Sequence, residues 1–176
     1  MIKELPLSKI VNNFLVFQLG WFMSAYWHDY RAIIANFIIL LWLYYAEPWS
    51  KLRIKFTLIA TSIGIASDSL LAYLGLISFD SSWGLPFWFM SLWLLFASTL
   101  SVSLSWMMRN RIFALFGGAI FGPLAYFAGV QFDALVVNGW QGFLALSVSW
   151  AILMVIFSTI YSRKPVNRMY LKSEVR

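Results

Sequence analysis

FTLIATSIGIASDSLLAYLGLISF, residues Phe56–Phe79, decides the fold. A helix rises ~1.5 Å per residue, so this run covers the ~30 Å hydrocarbon core of a bilayer. Asp68 is its single charge. A carboxylate at that depth costs on the order of 2.5–3.5 kcal/mol on insertion scales unless it is protonated, paired or in contact with water. A chain that keeps one uses it to fasten helices or to handle a proton or polar ligand.

The rest of the chain repeats the apolar pattern. Of 176 residues, 61% are hydrophobic and 11% charged, against about one-quarter charged in soluble domains. This composition predicts a single integral-membrane domain over residues 1–176. The predicted fold is all-α: a polytopic bundle of six spans at about 10–27, 32–46, 56–77, 85–106, 112–130 and 139–161. The absence of cysteine excludes disulfides, thiolate metal sites and cysteine nucleophiles. One histidine, His28, excludes multi-histidine metal and bis-histidine haem sites within one chain. His28 itself reads as a solvated turn residue. No metal or other cofactor is expected.

Charge sets the expected orientation. Lys3, Lys9, Lys51, Arg53, Lys55, Arg109, Arg111, Arg163, Lys164, Arg168, Lys172 and Arg176 all fall on one side of a six-span arrangement. Arg31 stands alone on the other, with Asp29, Asp80 and Asp133. Such a bias predicts that both termini are cytoplasmic. The net charge of +6 is therefore a topogenic signal, and the basic tail SRKPVNRMYLK a patch for anionic lipid; nucleic acid is not an expected partner. Trp27, Trp83 and Trp140 are expected at the outer interface, Trp49 and Trp106 at the inner one. Trp21, Trp42, Trp93 and Trp150 lie deeper, as packing groups or as the wall of an acyl-chain or isoprenoid pocket.

Ala60, Gly64, Asp68 and Ala72 recur every fourth residue, a small-residue stripe that admits a close neighbour. Ala114, Gly118 and Gly122 form a second. Pro123 frees the carbonyl of Ala119, and Tyr126 lies one turn beyond Gly122. These patterns predict direct packing of the third span on the fifth, with Gly64, Gly118, Gly122 and Pro123 at the contact. Asp68 is then expected as a neutral hydrogen-bond donor towards Tyr126 or a freed carbonyl, since burial disfavours the charged form. Gln18 and Asn13 complete the expected polar centre. Asn36 and the serine face Ser91, Ser98, Ser101 and Ser105 read as interhelical glue. No P-loop, dinucleotide fingerprint or Ser-His-Asp set is present, so no catalytic residue is assigned.

Asn13 with FQLGW (Phe17–Trp21), Asp68-Ser69, LWLLFASTL (Leu92–Leu100) followed by Trp106, and GxxxGPLAYFAG (Gly118–Gly129) resemble an uncharacterised family of small bacterial inner-membrane proteins, known as a domain of unknown function. The resemblance covers nearly all of Ile10–Tyr161. It implies a multi-spanning helical protein and no established activity. It also implies a lipid role, because members are encoded beside genes that modify unsaturated acyl chains of phospholipids. The expected function is an accessory or lipid-binding protein of lipid or fatty-acyl metabolism, with membrane lipids, a membrane enzyme or a second copy as partner. The alternatives are a small proton-coupled transporter using Asp68, and a lipid-modifying enzyme using it as acid or base.

Overall fold

The computed structural model describes residues 6–47, 49–81 and 84–163. Lys3, Pro48, Trp83, Lys164, Arg168, Lys172 and Arg176, with most of the basic tail, lie outside the described residues. Helices account for most of what is described: α1 Leu7–Trp27, α2 Tyr30–Ala46, α3 Lys51–Tyr73, α4 Phe87–Thr99, α5 Ser105–Met108, α6 Arg111–Gln131 and α7 Gly139–Arg163. Three of them, α3, α6 and α7, are long and apolar enough to cross a membrane. The apolar helices α2 and α4 are shorter. At 21 residues α1 matches α6 in length, and it carries Asn12, Asn13 and Gln18.

The bundle is built around α4, which packs against α1, α2 and α3. On its far side α3 also packs on α7, and α6 and α7 form the most extensive helix pair. Two-residue strands β1 (Ile77–Ser78) and β2 (Val136–Val137) pair antiparallel, Ile77 opposite Val137. Asn138 reinforces them, its backbone N–H on Leu76 O (3.0 Å) and its amide on Gly75 O (2.5 Å). This clasp ties the exit of α3 to the start of α7.

Three expectations are corrected. The fourth span does not run unbroken over 85–106. It ends at Thr99 because Ser98 and Thr99 turn their hydroxyls back on Leu95 O (2.7 Å) and Phe96 O (2.6 Å), a competition that disfavours further helix. The chain then folds tightly, with Val102 and Leu104 N–H both on Thr99 O. Leu100, Ser101, Val102 and Ser103 are all buried.

The second correction concerns α3, which begins at Lys51 and ends at Tyr73, with its N-terminus capped by Ser50, whose hydroxyl accepts from Arg53 N–H (3.2 Å). Lys51, Arg53 and Lys55 thus belong to helix rather than loop. Arg53 is fully buried: its guanidinium pairs with Glu47 at 2.5 Å and lies over the Trp49 ring at 4.0 Å.

The third is that α3 and α6 form no extensive helix pair, although Tyr126 reaches Asp68. Indoles fill the space between them. A Cβ on Gly64 would overlap the Trp93 ring of α4, and one on Gly122 would overlap Trp150 of α7. Each small-residue stripe therefore seats a tryptophan or the α7 backbone, not the other stripe.

Candidate functional site

Asp68 is completely buried. Trp93 Nε1 and Tyr126 OH both donate to its Oδ2, each at 2.6 Å. The carboxyl is an acceptor for α4 and α6 together, while Oδ1 is buried with no partner. The expected donor role is not seen. The carbonyl freed by Pro123 is occupied otherwise, since Ser147 Oγ of α7 donates to Ala119 O at 2.8 Å. A buried indole N–H seeks an acceptor, which was the signal that could have joined Trp93 to Asp68.

The wall in front of Asp68 is aromatic. Trp93 and Trp150 stack at 5.1 Å with an interplanar angle of 17°. Phe96 meets Trp150 edge-on at 5.2 Å, and Tyr126 lies 6.2 Å from the same ring. These rings floor a cavity of about 670 Å³ between α1 and α6. One wall is α1, from Phe14 to Ala25; the other is α6, from Gly117 to Gly129. Ser103 and Met107 of the broken segment close one end. Beyond the other, Trp21 and Phe22 meet Phe132 at 6.3 Å, tying α1 to the end of α6.

The cleft opens sideways. Phe14, Phe22, Phe121 and Leu124 on its rims are 46%, 52%, 64% and 54% exposed. Its lining contains no charged side chain. Asp68 is not part of it and stands behind Trp93 and Tyr126.

The four residues of the expected polar centre are thus placed apart. Asp68 and Tyr126 meet. Gln18 lines the cleft on the α1 wall, with no hydrogen bond to a described residue. Asn13 lies deeper, accepting at Oδ1 from Ser103 Oγ at 2.7 Å, and no hydrogen bond joins it or Gln18 to Asp68. Separate networks carry the remaining glue: Asn36 Nδ2 donates to both Ser24 and Ser91 (2.9 Å each), and Ser67 meets Ser149 at 2.7 Å.

The turn between α1 and α2 is a capping structure. His28 adopts a left-handed conformation (φ 37°) that ends α1. Asp29 caps α2 and pairs with Arg31 at 2.7 Å; the hydrogen-bonded guanidinium holds the Asp29 carboxyl below its usual range. Among the described residues no cluster of three His, Cys, Asp or Glu could hold a metal.

Three membrane-length apolar helices and a laterally open apolar cleft define a helical membrane protein. The chain belongs to the family described as "Protein of unknown function (DUF2878)", whose model matches residues 10–156. No curated protein and no solved structure matches it.

Proposed function

We propose that this is a multi-pass bacterial inner-membrane protein, both termini cytoplasmic, that holds a lipid chain in the cleft between α1 and α6. One observation carries the reading: an uncharged, aromatic-floored cavity of about 670 Å³ whose rims are exposed aromatic and aliphatic side chains. Small-molecule sites run from about 300 to 1,000 Å³ and are mostly apolar with a few polar groups. A groove of that size, open towards lipid tails, suits an acyl or isoprenoid chain. Tyr126, fixed by Asp68, supplies a rigid polar point in its floor. In this reading Asp68 is a positioning residue and no chemistry is assigned to it.

The test is mass spectrometry of lipids retained through detergent exchange. The wild type is expected to keep a defined lipid at about one per chain, and Ala125→Trp, which fills the cleft from α6, to lose it. An identical lipid complement in both proteins would overturn the reading.

The break in α4 favours a second reading, a proton-coupled carrier. Discontinuous helices and intramembrane carboxyls mark many transport sites, and here the buried break at Leu100–Ser103 and Asp68 lie on or against the same helix. Solute uptake into proteoliposomes that disappears in Asp68→Asn would support it; no proton-coupled uptake of any solute would remove it.

A further inference from the structure

The cleft has an unused polar contact. Gln18, Ser103 and Tyr126 are the lining side chains able both to donate and to accept. Ser103 commits its hydroxyl hydrogen to Asn13. Tyr126 commits its own to Asp68. The Gln18 amide bonds to no described residue. A primary amide facing apolar surroundings without a partner is costly, so its presence calls for something in the cleft to bond to.

Its position narrows that partner. Gln18 is the twelfth of the 21 residues of α1, about midway along the helix and so near the bilayer midplane if α1 spans. A phospholipid headgroup stays at the interface, roughly 15 Å away, half of a ~30 Å core. A charged group drawn to Gln18 would find no counter-charge, since the lining holds none. The polar group that fits is neutral, small and able to sit deep. A hydroxyl matches best, because the amide offers an N–H donor and a carbonyl acceptor together.

We infer that Gln18 is the specificity-determining residue of the cleft and that its occupant is an uncharged lipid bearing a hydroxyl group. This rests on the cleft being a lipid site, and the two are separable by experiment. Purified protein is offered hexadecane, hexadecanol, hexadecyl phosphate and farnesol from mixed micelles, and bound ligand is read by native mass spectrometry. Hexadecane reports the apolar cleft alone. Hexadecanol and farnesol add one hydroxyl, on an acyl or an isoprenoid chain.

The wild type is expected to bind at least one of the two alcohols about five- to tenfold more tightly than hexadecane, the equivalent of one net hydrogen bond. It is expected to bind hexadecyl phosphate no better than hexadecane. Gln18→Leu is expected to retain hexadecane and lose the preference; Gln18→Met, which keeps the length of the side chain, should do the same. Hexadecane bound as well as both alcohols, a preference that survives in both variants, or tight hexadecyl phosphate binding would each overturn the assignment of Gln18. Loss of all binding, hexadecane included, would overturn the lipid site as well.

Discussion

Asp68 Oδ2 is a junction that joins α3 to two other helices. It accepts from Trp93 of α4 and from Tyr126 of α6. Removing it strands two buried donors, whereas removing one donor leaves the other bond in place. Asp68→Leu is therefore expected to lower stability by about 1–3 kcal/mol, and Asp68→Asn, which keeps an acceptor, by less than half of that. Thermal unfolding in detergent measures both. Equal losses would mean that the charge, and not the acceptor, matters.

Glu47 and Arg53 form a buried ion pair, with side chains 2% and 1% exposed. Breaking such a pair by deleting one partner costs about 3–5 kcal/mol, because the survivor is left buried and unpaired. Arg53→Ala is expected to fall in that range by the same assay, and Glu47→Gln with Arg53→Met to recover part of the loss. The sequence placed Arg53 among loop cations. Five residues, Pro48 among them, separate it from Glu47 in the chain, and only the connection from α2 to α3 brings them together.

Among the elements, α6 carries the most legible pattern. Ala114, Gly118 and Gly122 announced a surface for close approach, and these residues are buried. What the pattern could not say is which neighbour approaches. A four-residue stripe of small side chains fits a helix backbone or an indole equally well, and Trp150 supplies both. At Gly118 an added Cβ would overlap the Trp150 backbone carbonyl; at Gly117 it would meet the flexible end of Met107. Gly118→Ala is thus expected to cost about 1–3 kcal/mol as overpacking, and Gly117→Ala distinctly less. Comparable unfolding temperatures for the two variants would contradict this account.

The break in α4 was hidden for a similar reason. Periodicity runs on through the serine face to Trp106, and Ser98 passes as ordinary polar glue. The effect of Ser98 and Thr99 depends on hydroxyls turning to their own backbone, a choice between two hydrogen-bond partners that hydropathy does not record. Pro123 was the opposite case. Its consequence, a freed Ala119 carbonyl, follows from covalent structure alone, while the hydroxyl that satisfies it comes from Ser147, 28 residues away.

At the scale of the molecule, the helix ends divide into two groups. His28, Phe79 and Trp88 lie together in ring contact at one end. At the other end, Phe56 near the start of α3 meets Tyr161 near the end of α7. In the proposed orientation the Lys and Arg concentrated at that second end face the cytoplasm. A reporter active only outside the cytoplasm is expected to be silent when fused after Arg176 and active when inserted at Asp80. The reverse result would invert the orientation. All-helical character could be read from composition, because an apolar chain in lipid must satisfy its backbone internally. The cleft could not, because it arises from α1 and α6 standing apart on either side of α4 and α7, a matter of arrangement rather than of any one segment.

In the proposed lipid-binding role, the sideways opening of that cleft changes what binding means thermodynamically. A ligand arriving from water would gain from shedding its hydration shell. One arriving from the surrounding tails leaves a medium already as apolar as the aromatic floor. Every neighbouring tail is then a competitor present at the concentration of the solvent itself. Under such competition chain length contributes little to discrimination. Selectivity falls to cavity shape and to whatever the few neutral polar groups can tell apart, and occupancy follows the mole fraction of the ligand in the bilayer rather than its concentration in the cell.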